Sequence, residues 1–142
     1  LFDPELIFLN LDYTEKKDIL FYVSKALESH GYVMPLFAQS VYEREQATST
    51  AIGNYVALPH GMQAYVNQSR VAIITLKKPI SWDKEEMVDV IFLLAFKLST
   101  HDEIKRVQSF YQEFISLIET NEKISVIRNA RNALELYKYL IQ

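Results

Sequence analysis

Between Val88 and Phe96 the chain carries a single charged side chain, Asp89, and otherwise only aliphatic and aromatic groups. A strand turns successive side chains to opposite faces of a sheet, so a run apolar at nearly every position needs cover on both faces. Helices are the usual cover, and amphipathic segments lie on either side of the run. The run is too short to cross a bilayer as a helix, and no other run approaches that length. The expected fold is therefore α/β, a three-layer sandwich with a mixed β-sheet flanked by helices on both faces.

The remaining pattern fills in the layers. Leu6-Ile7-Phe8-Leu9 reads as a strand or extended segment. Thr14 is placed to cap a helix with Ile19, Leu20, Val23 and Leu27 on its apolar side, and Gly31, after His30, to end it. Pro35 suits the first turn of a second helix running to about Arg44. Residues 48–54, rich in Thr, Ser, Gly and Asn, read as a loop before the short apolar run Val56-Ala57-Leu58. Val71 to Leu76 is β-branched and strand-like, and Lys77-Lys78-Pro79 is expected to end it. After Ser99-Thr100 a long helix is predicted, with Ile104, Val107, Tyr111, Phe114, Ile115 and Ile118 as its apolar stripe. Ala130, Ala133, Leu134, Tyr137 and Leu140 mark a final helical pair. The 3 glycines and 4 prolines stand singly, with no linker or repeat, so residues 1–142 are expected to form one domain. The chain starts at Leu1 rather than Met, as expected of a domain excised from a longer protein.

Composition removes several functions. A net charge of -3 without a basic cluster argues against a nucleic-acid surface. The lack of cysteine removes disulfides, thiolate metal sites and thiol nucleophiles together, and fits a reducing cytoplasm. No Gly-x-Ser-x-Gly elbow, glycine-rich phosphate loop or His-Glu-x-x-His spacing is present, so neither a metal nor another cofactor is expected.

Histidine is the informative residue, with 3 in the chain. His60 stands in Ala57-Leu58-Pro59-His60-Gly61, where an apolar strand delivers it, a proline fixes the backbone and a glycine permits close approach by another backbone. It reads either as a reactive side chain presented at a strand end or as an inert, exposed turn histidine. His101 opens the long helix, where backbone N–H groups favour an anion, though polar residues are common there anyway. His30 reads as structural, at a helix end where its charge would suit the dipole. Ser49 and Thr50 could bind phosphate or could simply shape the turn before Gly53. Met62, Tyr65 and Val66 could form an apolar rim beside His60, or pack in the core.

Arg44-Glu45, Ser49-Thr50, Gly53 and Ala57-Leu58-Pro59-His60-Gly61 together resemble the signature of type-2 EIIA domains. These are the fructose/mannitol-class units of the bacterial phosphoenolpyruvate-dependent sugar phosphotransferase system. The likeness continues through Lys78-Pro79-Ile80-Ser81-Trp82, the strand Val90 to Phe96 and His101. It implies that His60 accepts a phosphoryl group from the carrier HPr, with Arg44 and His101 assisting. Without the resemblance, Arg44 would read as a solvated arginine paired with Glu43 or Glu45. Tyr55 departs from the pattern, since transport EIIA domains usually carry glycine there. Related domains with another residue at that place end transcription activators and antiterminators. The resemblance thus implies a regulatory domain whose partners are HPr and other domains of the same regulator. The alternatives are a transport EIIA that passes phosphate to an EIIB cysteine and a degenerate interaction domain that takes none.

Overall fold

The computed structural model describes residues 1–142 and places the apolar run where both faces are covered. Strand β5 (Met87–Ala95) is the middle strand of a five-stranded sheet of order β1-β4-β5-β3-β2. Its neighbours are β4 (Arg70–Ser81), antiparallel, and β3 (Val56–Ala57), parallel. The outer strands are β1 (Ile7–Leu11), parallel to β4, and β2 (Ala51–Gly53), antiparallel to β3. The sheet is mixed, as expected.

Alternation along the strands builds two cores. Ala72, Ile74, Ile91 and Leu93 face one side, where helices α1 (Lys16–Ser29) and α2 (Phe37–Ala47) bury Ile19, Leu20, Val23, Leu27, Phe37 and Val41. Val71, Ile73, Val90, Phe92 and Leu94 face the other side. There they meet α3 (His101–Glu119), α4 (Asn121–Asn129) and α5 (Ala133–Leu140) through Phe110, Phe114, Ile124, Ile127 and Leu136. Each fully buried aliphatic or aromatic side chain contributes about 1.5–3 kcal/mol, so the two cores are what hold the sandwich closed. No helix is long and apolar enough to cross a membrane.

Local signals fare unevenly. Gly31 has φ of +80° and ends α1 in a Schellman motif, with Gly31 N–H donating to the Glu28 carbonyl and Tyr32 N–H to that of Leu27. Thr14, in contrast, does not cap α1; Glu15 occupies that place with no side-chain cap. Pro35 lies just before α2 rather than in its first turn. The segment read as a loop contains β2 and a two-residue hairpin turn, with Asn54 and Tyr55 both at positive φ. Strand β4 continues through Lys77-Lys78-Pro79. Leu76 is its last partner with β1, and its register against β5 shifts between Thr75 and Ile80, where a residue without an N–H is tolerated. On α3 the buried face is Val107, Phe110 and Phe114, while Ile104, Tyr111 and Ile115 are exposed. Spacings of three and four allow either set of residues, and the sheet selects Phe110, whose ring meets Phe2, Phe96 and Phe114. On α5 the buried residue is Leu136, and Leu134 is exposed.

Candidate functional site

The strand that carries His60 is only two residues long, yet its continuation is well held. Beyond Val56 and Ala57, which pair with Val90 and Ile91, the Pro59 carbonyl accepts from Leu94 N–H at 2.9 Å and His60 bridges Leu94 in parallel register. Leu58 N–H donates to the Thr50 carbonyl at 3.0 Å. On the far side of the histidine, Met62 N–H donates to Ser40 Oγ at 3.0 Å, and the Ser40 hydroxyl donates to the Phe37 carbonyl. Gly61 is needed here for space. A Cβ at that position would lie 2.5 Å from the Phe37 ring and 2.8 Å from Ser40 Oγ. The close approach therefore comes from side chains of α2, not from another backbone as the sequence suggests.

His60 itself is half-buried rather than freely exposed. Its Nδ1 lies 3.3 Å from the Leu58 carbonyl oxygen, which can only accept, so Nδ1 carries the proton. Nε2 then bears the lone pair and has no protein partner.

Phe37, Ser40 and Arg44 fall at i, i+3 and i+7, which puts the arginine on the face of α2 that abuts the His60 segment. Arg44 pairs with neither neighbouring glutamate. Its Nη1 donates to the Thr48 carbonyl at 2.7 Å, and Glu43 accepts from Gln39 instead. Glu45 is buried, and its carboxylate accepts from Thr50 N–H, the Thr50 hydroxyl and Trp82 Nε1. The Thr50 hydroxyl thus points inward to Glu45. Ser49 Oγ accepts from Ala51 N–H, a turn contact. The Ser49 hydroxyl, followed by the amides of Glu85 and Glu86, also holds the Asp83 carboxyl below the ordinary range.

His101 is the first residue of α3 and lies exposed beyond the end of β5. Because β3 and β5 are parallel, His60 and His101 both emerge at the carboxyl end of this strand pair. The helix start is defined by Thr100, whose Oγ1 accepts from Glu103 N–H at 3.1 Å. The Glu103 carboxyl is held low chiefly by the Ser99 hydroxyl. Of the apolar rim read from sequence, Met62 is exposed, Tyr65 packs against the core and Val66 is part of it.

The sequence carries no signal for Ser40 or for the two carbonyls, of Thr50 and Leu58, that hold the His60 segment. An acid beside Arg44 was visible, but its burial depends on Trp82, which is distant in sequence. Taken together, the site offers an imidazole with one free nitrogen, a guanidinium on the adjacent helix and a helix N-terminus at the same sheet edge. Such a set suits an anionic, phosphate-like electrophile.

Comparison with known proteins shows the family. Residues 1–142 match the family described as "Phosphoenolpyruvate-dependent sugar phosphotransferase system, EIIA 2". Over 137 residues the chain is 28% identical to the transcriptional regulator ManR of Bacillus subtilis (strain 168), covering 96% of this chain and 20% of that protein. It thus spans about a fifth of the length of the first curated relatives it matches. The crystal structure of IIA mannitol from Escherichia coli shares the fold with a TM-score of 0.79 at 20% identity, over 97% of each chain. The IIAMtl complex with phosphorylated IIBMtl from the same organism gives 0.67 at 20% identity, over 92% of this chain and 100% of that one. With its whole length matched and its fold shared, this chain belongs to the EIIA type 2 family of the phosphoenolpyruvate-dependent sugar phosphotransferase system.

Proposed function

We propose that residues 1–142 act as one phosphoryl-carrier domain, taking a phosphoryl group from phospho-HPr onto Nε2 of His60 and thereby controlling a sugar-responsive transcription regulator. The observation that carries the reading is the unequal engagement of the His60 ring, with Nδ1 held by the Leu58 carbonyl and Nε2 free. Neutral imidazole is a competent nucleophile near pH 7. In the transfer, the Nε2 lone pair forms a bond to phosphorus while the N–P bond of the donor phosphohistidine breaks, and that electron pair returns to the donor ring. The proton on Nδ1 stays in place. As the His60 ring gains positive charge, its bond to the Leu58 carbonyl strengthens.

Phosphoryl transfer needs mainly alignment and compensation of charge on the phosphoryl oxygens. Arg44 supplies a guanidinium fork once its Nη1 turns from the Thr48 carbonyl, and His101 with the start of α3 supplies further donors. The regulatory role is supported by the likeness to ManR, of which a chain like this forms only a part. Such a domain would work in the cytoplasm. Relay to an EIIB cysteine is the second reading, favoured by the fold shared with a IIA enzyme captured with phosphorylated IIB.

The test is incubation with phosphoenolpyruvate, Enzyme I and HPr, followed by intact mass. A gain of one phosphoryl group, lost in acid, is expected. No gain while HPr itself is phosphorylated would reject the carrier role. Adding a cognate EIIB then separates the readings, since rapid loss of the group to its cysteine marks a relay.

A further inference from the structure

Glu45 is an acid with a side chain only 1% exposed, and it would be costly to bury without partners. Every group around it can donate. Thr50 N–H lies 2.8 Å from Oε2, the Thr50 hydroxyl bonds Oε1, and Trp82 Nε1 lies 3.2 Å from Oε2. Lys16 Nζ stands 3.8 Å from Oε2 and is itself fixed by the Trp82 carbonyl at 2.8 Å. At Oε2 each partner can only donate, whereas the Thr50 hydroxyl at Oε1 can donate or accept, so an amide would fit in one orientation alone and would lose the charge opposite Lys16.

The contacts lead from Glu45 to both reactive side chains. Thr50, doubly held by the carboxylate, offers its carbonyl to Leu58 N–H at 3.0 Å, and the Leu58 carbonyl accepts from His60 Nδ1. Two residues before Thr50, the Thr48 carbonyl holds the Arg44 guanidinium. We infer that Glu45 is a positioning residue for phosphoryl transfer. By fixing the 48–50 segment it sets the Nδ1–H tautomer of His60 and the resting direction of Arg44. The inference rests on His60 being the phosphoryl acceptor, but its effect on the ring is measurable without any transfer.

The experiment compares the parent chain with Glu45→Gln by the ¹⁵N shifts of the His60 ring and by the rate of phosphoryl uptake from phospho-HPr. Val23→Ala, a buried truncation on α1 whose side chain makes none of the hydrogen bonds around Glu45 and His60, serves as the control for lost stability. In Glu45→Gln the His60 shifts should move from one tautomer toward a mixture, and uptake should slow about tenfold to a hundredfold, as expected for a displaced reacting group. Val23→Ala should lower stability and leave both readouts at parent values. If Glu45→Gln is merely less stable, with the ring shifts and the uptake rate of the parent, Glu45 is a structural tie and the inference is overturned. Should Glu45→Gln fail to fold, Thr50→Val removes the hydroxyl contact alone, and a His60 ring unmoved in that variant overturns the inference equally. A parent chain that takes no phosphate would sink the carrier reading, while the ring shifts would still decide the role of Glu45.

Discussion

His30 and His60 hold their ring nitrogens in opposite ways. In His30, Nδ1 lies 2.8 Å from the Ala26 carbonyl and Nε2 lies 2.7 Å from Glu5 Oε2, with the ring stacked on Tyr32. Both partners accept, so they favour the ring with protons on both nitrogens. The Ala26 carbonyl first, and the Glu5 carboxylate second, raise the His30 pKa above the ordinary histidine value. An imidazolium of that kind has no lone pair to offer an electrophile. His60 faces one acceptor and keeps one lone pair, although it is the less exposed of the two. The number of acceptors around the ring, not the solvent that reaches it, is thus what separates the two histidines.

The largest expected effect separates the two directly. His60→Ala should abolish phosphoryl uptake as read by intact mass, whereas His30→Ala should retain it fully; uptake surviving in His60→Ala would place the acceptor elsewhere. Arg44→Ala should come next, slowing uptake about 10²–10³-fold, the usual loss for one charge-stabilising donor in a transition state. Its stability should fall by less than about 1 kcal/mol, because the lost contact is a single hydrogen bond to the Thr48 carbonyl. An Arg44→Ala variant with only the stability change would be a helix-end strut and nothing more.

What the sequence revealed follows the range of the interaction concerned. The apolar run, broken only by Asp89, marked β5 as a strand covered on both faces, because its successive residues turn to opposite faces and nearly all are apolar. Gly31 was legible because positive φ at a helix end is a local demand. Strand β2 and the continuation of β4 through Pro79 were not, since both depend on which strand lies alongside. The same divide runs through the site. His60 and His101 were picked out as chemically able groups and Arg44 only through the family resemblance, while the atoms that contact them were hidden. The Leu58 carbonyl has no side-chain signature, and Ser40 meets Met62 across 22 positions. Trp82 reaches Glu45 across 37.

A smaller effect probes what holds His60 in place. Gly61→Ala puts a methyl group 2.5 Å from the Phe37 ring, an overpacking expected to cost about 1–3 kcal/mol in chemical denaturation. Phe37→Leu opens that space, so the double variant should be less destabilised than the sum of the single ones. Simple additivity would mean that Gly61 is required for some other reason than the approach of α2. The His60 segment would then be held by β5 alone.

The smallest effect tests His30. Its folded-state pKa is raised, so its contribution to stability is complete below about pH 6.5 and is lost as pH rises through the folded value. The ring is partly exposed, and screening should hold the contribution below about 0.5 kcal/mol. Urea unfolding across pH 5.5–9, values chosen to bracket about 6.5, should show the parent losing this increment above pH 6.5, while His30→Gln stays flat. Glu5→Gln removes one charged acceptor and leaves the Ala26 carbonyl, so its decline should be smaller than the parent's and end at a lower pH. If the parent and Glu5→Gln profiles coincide, the Glu5 contact does not hold in solution. His30 would then be a one-acceptor ring like His60, and acceptor count alone could not be what assigns the phosphoryl group to His60 rather than His30.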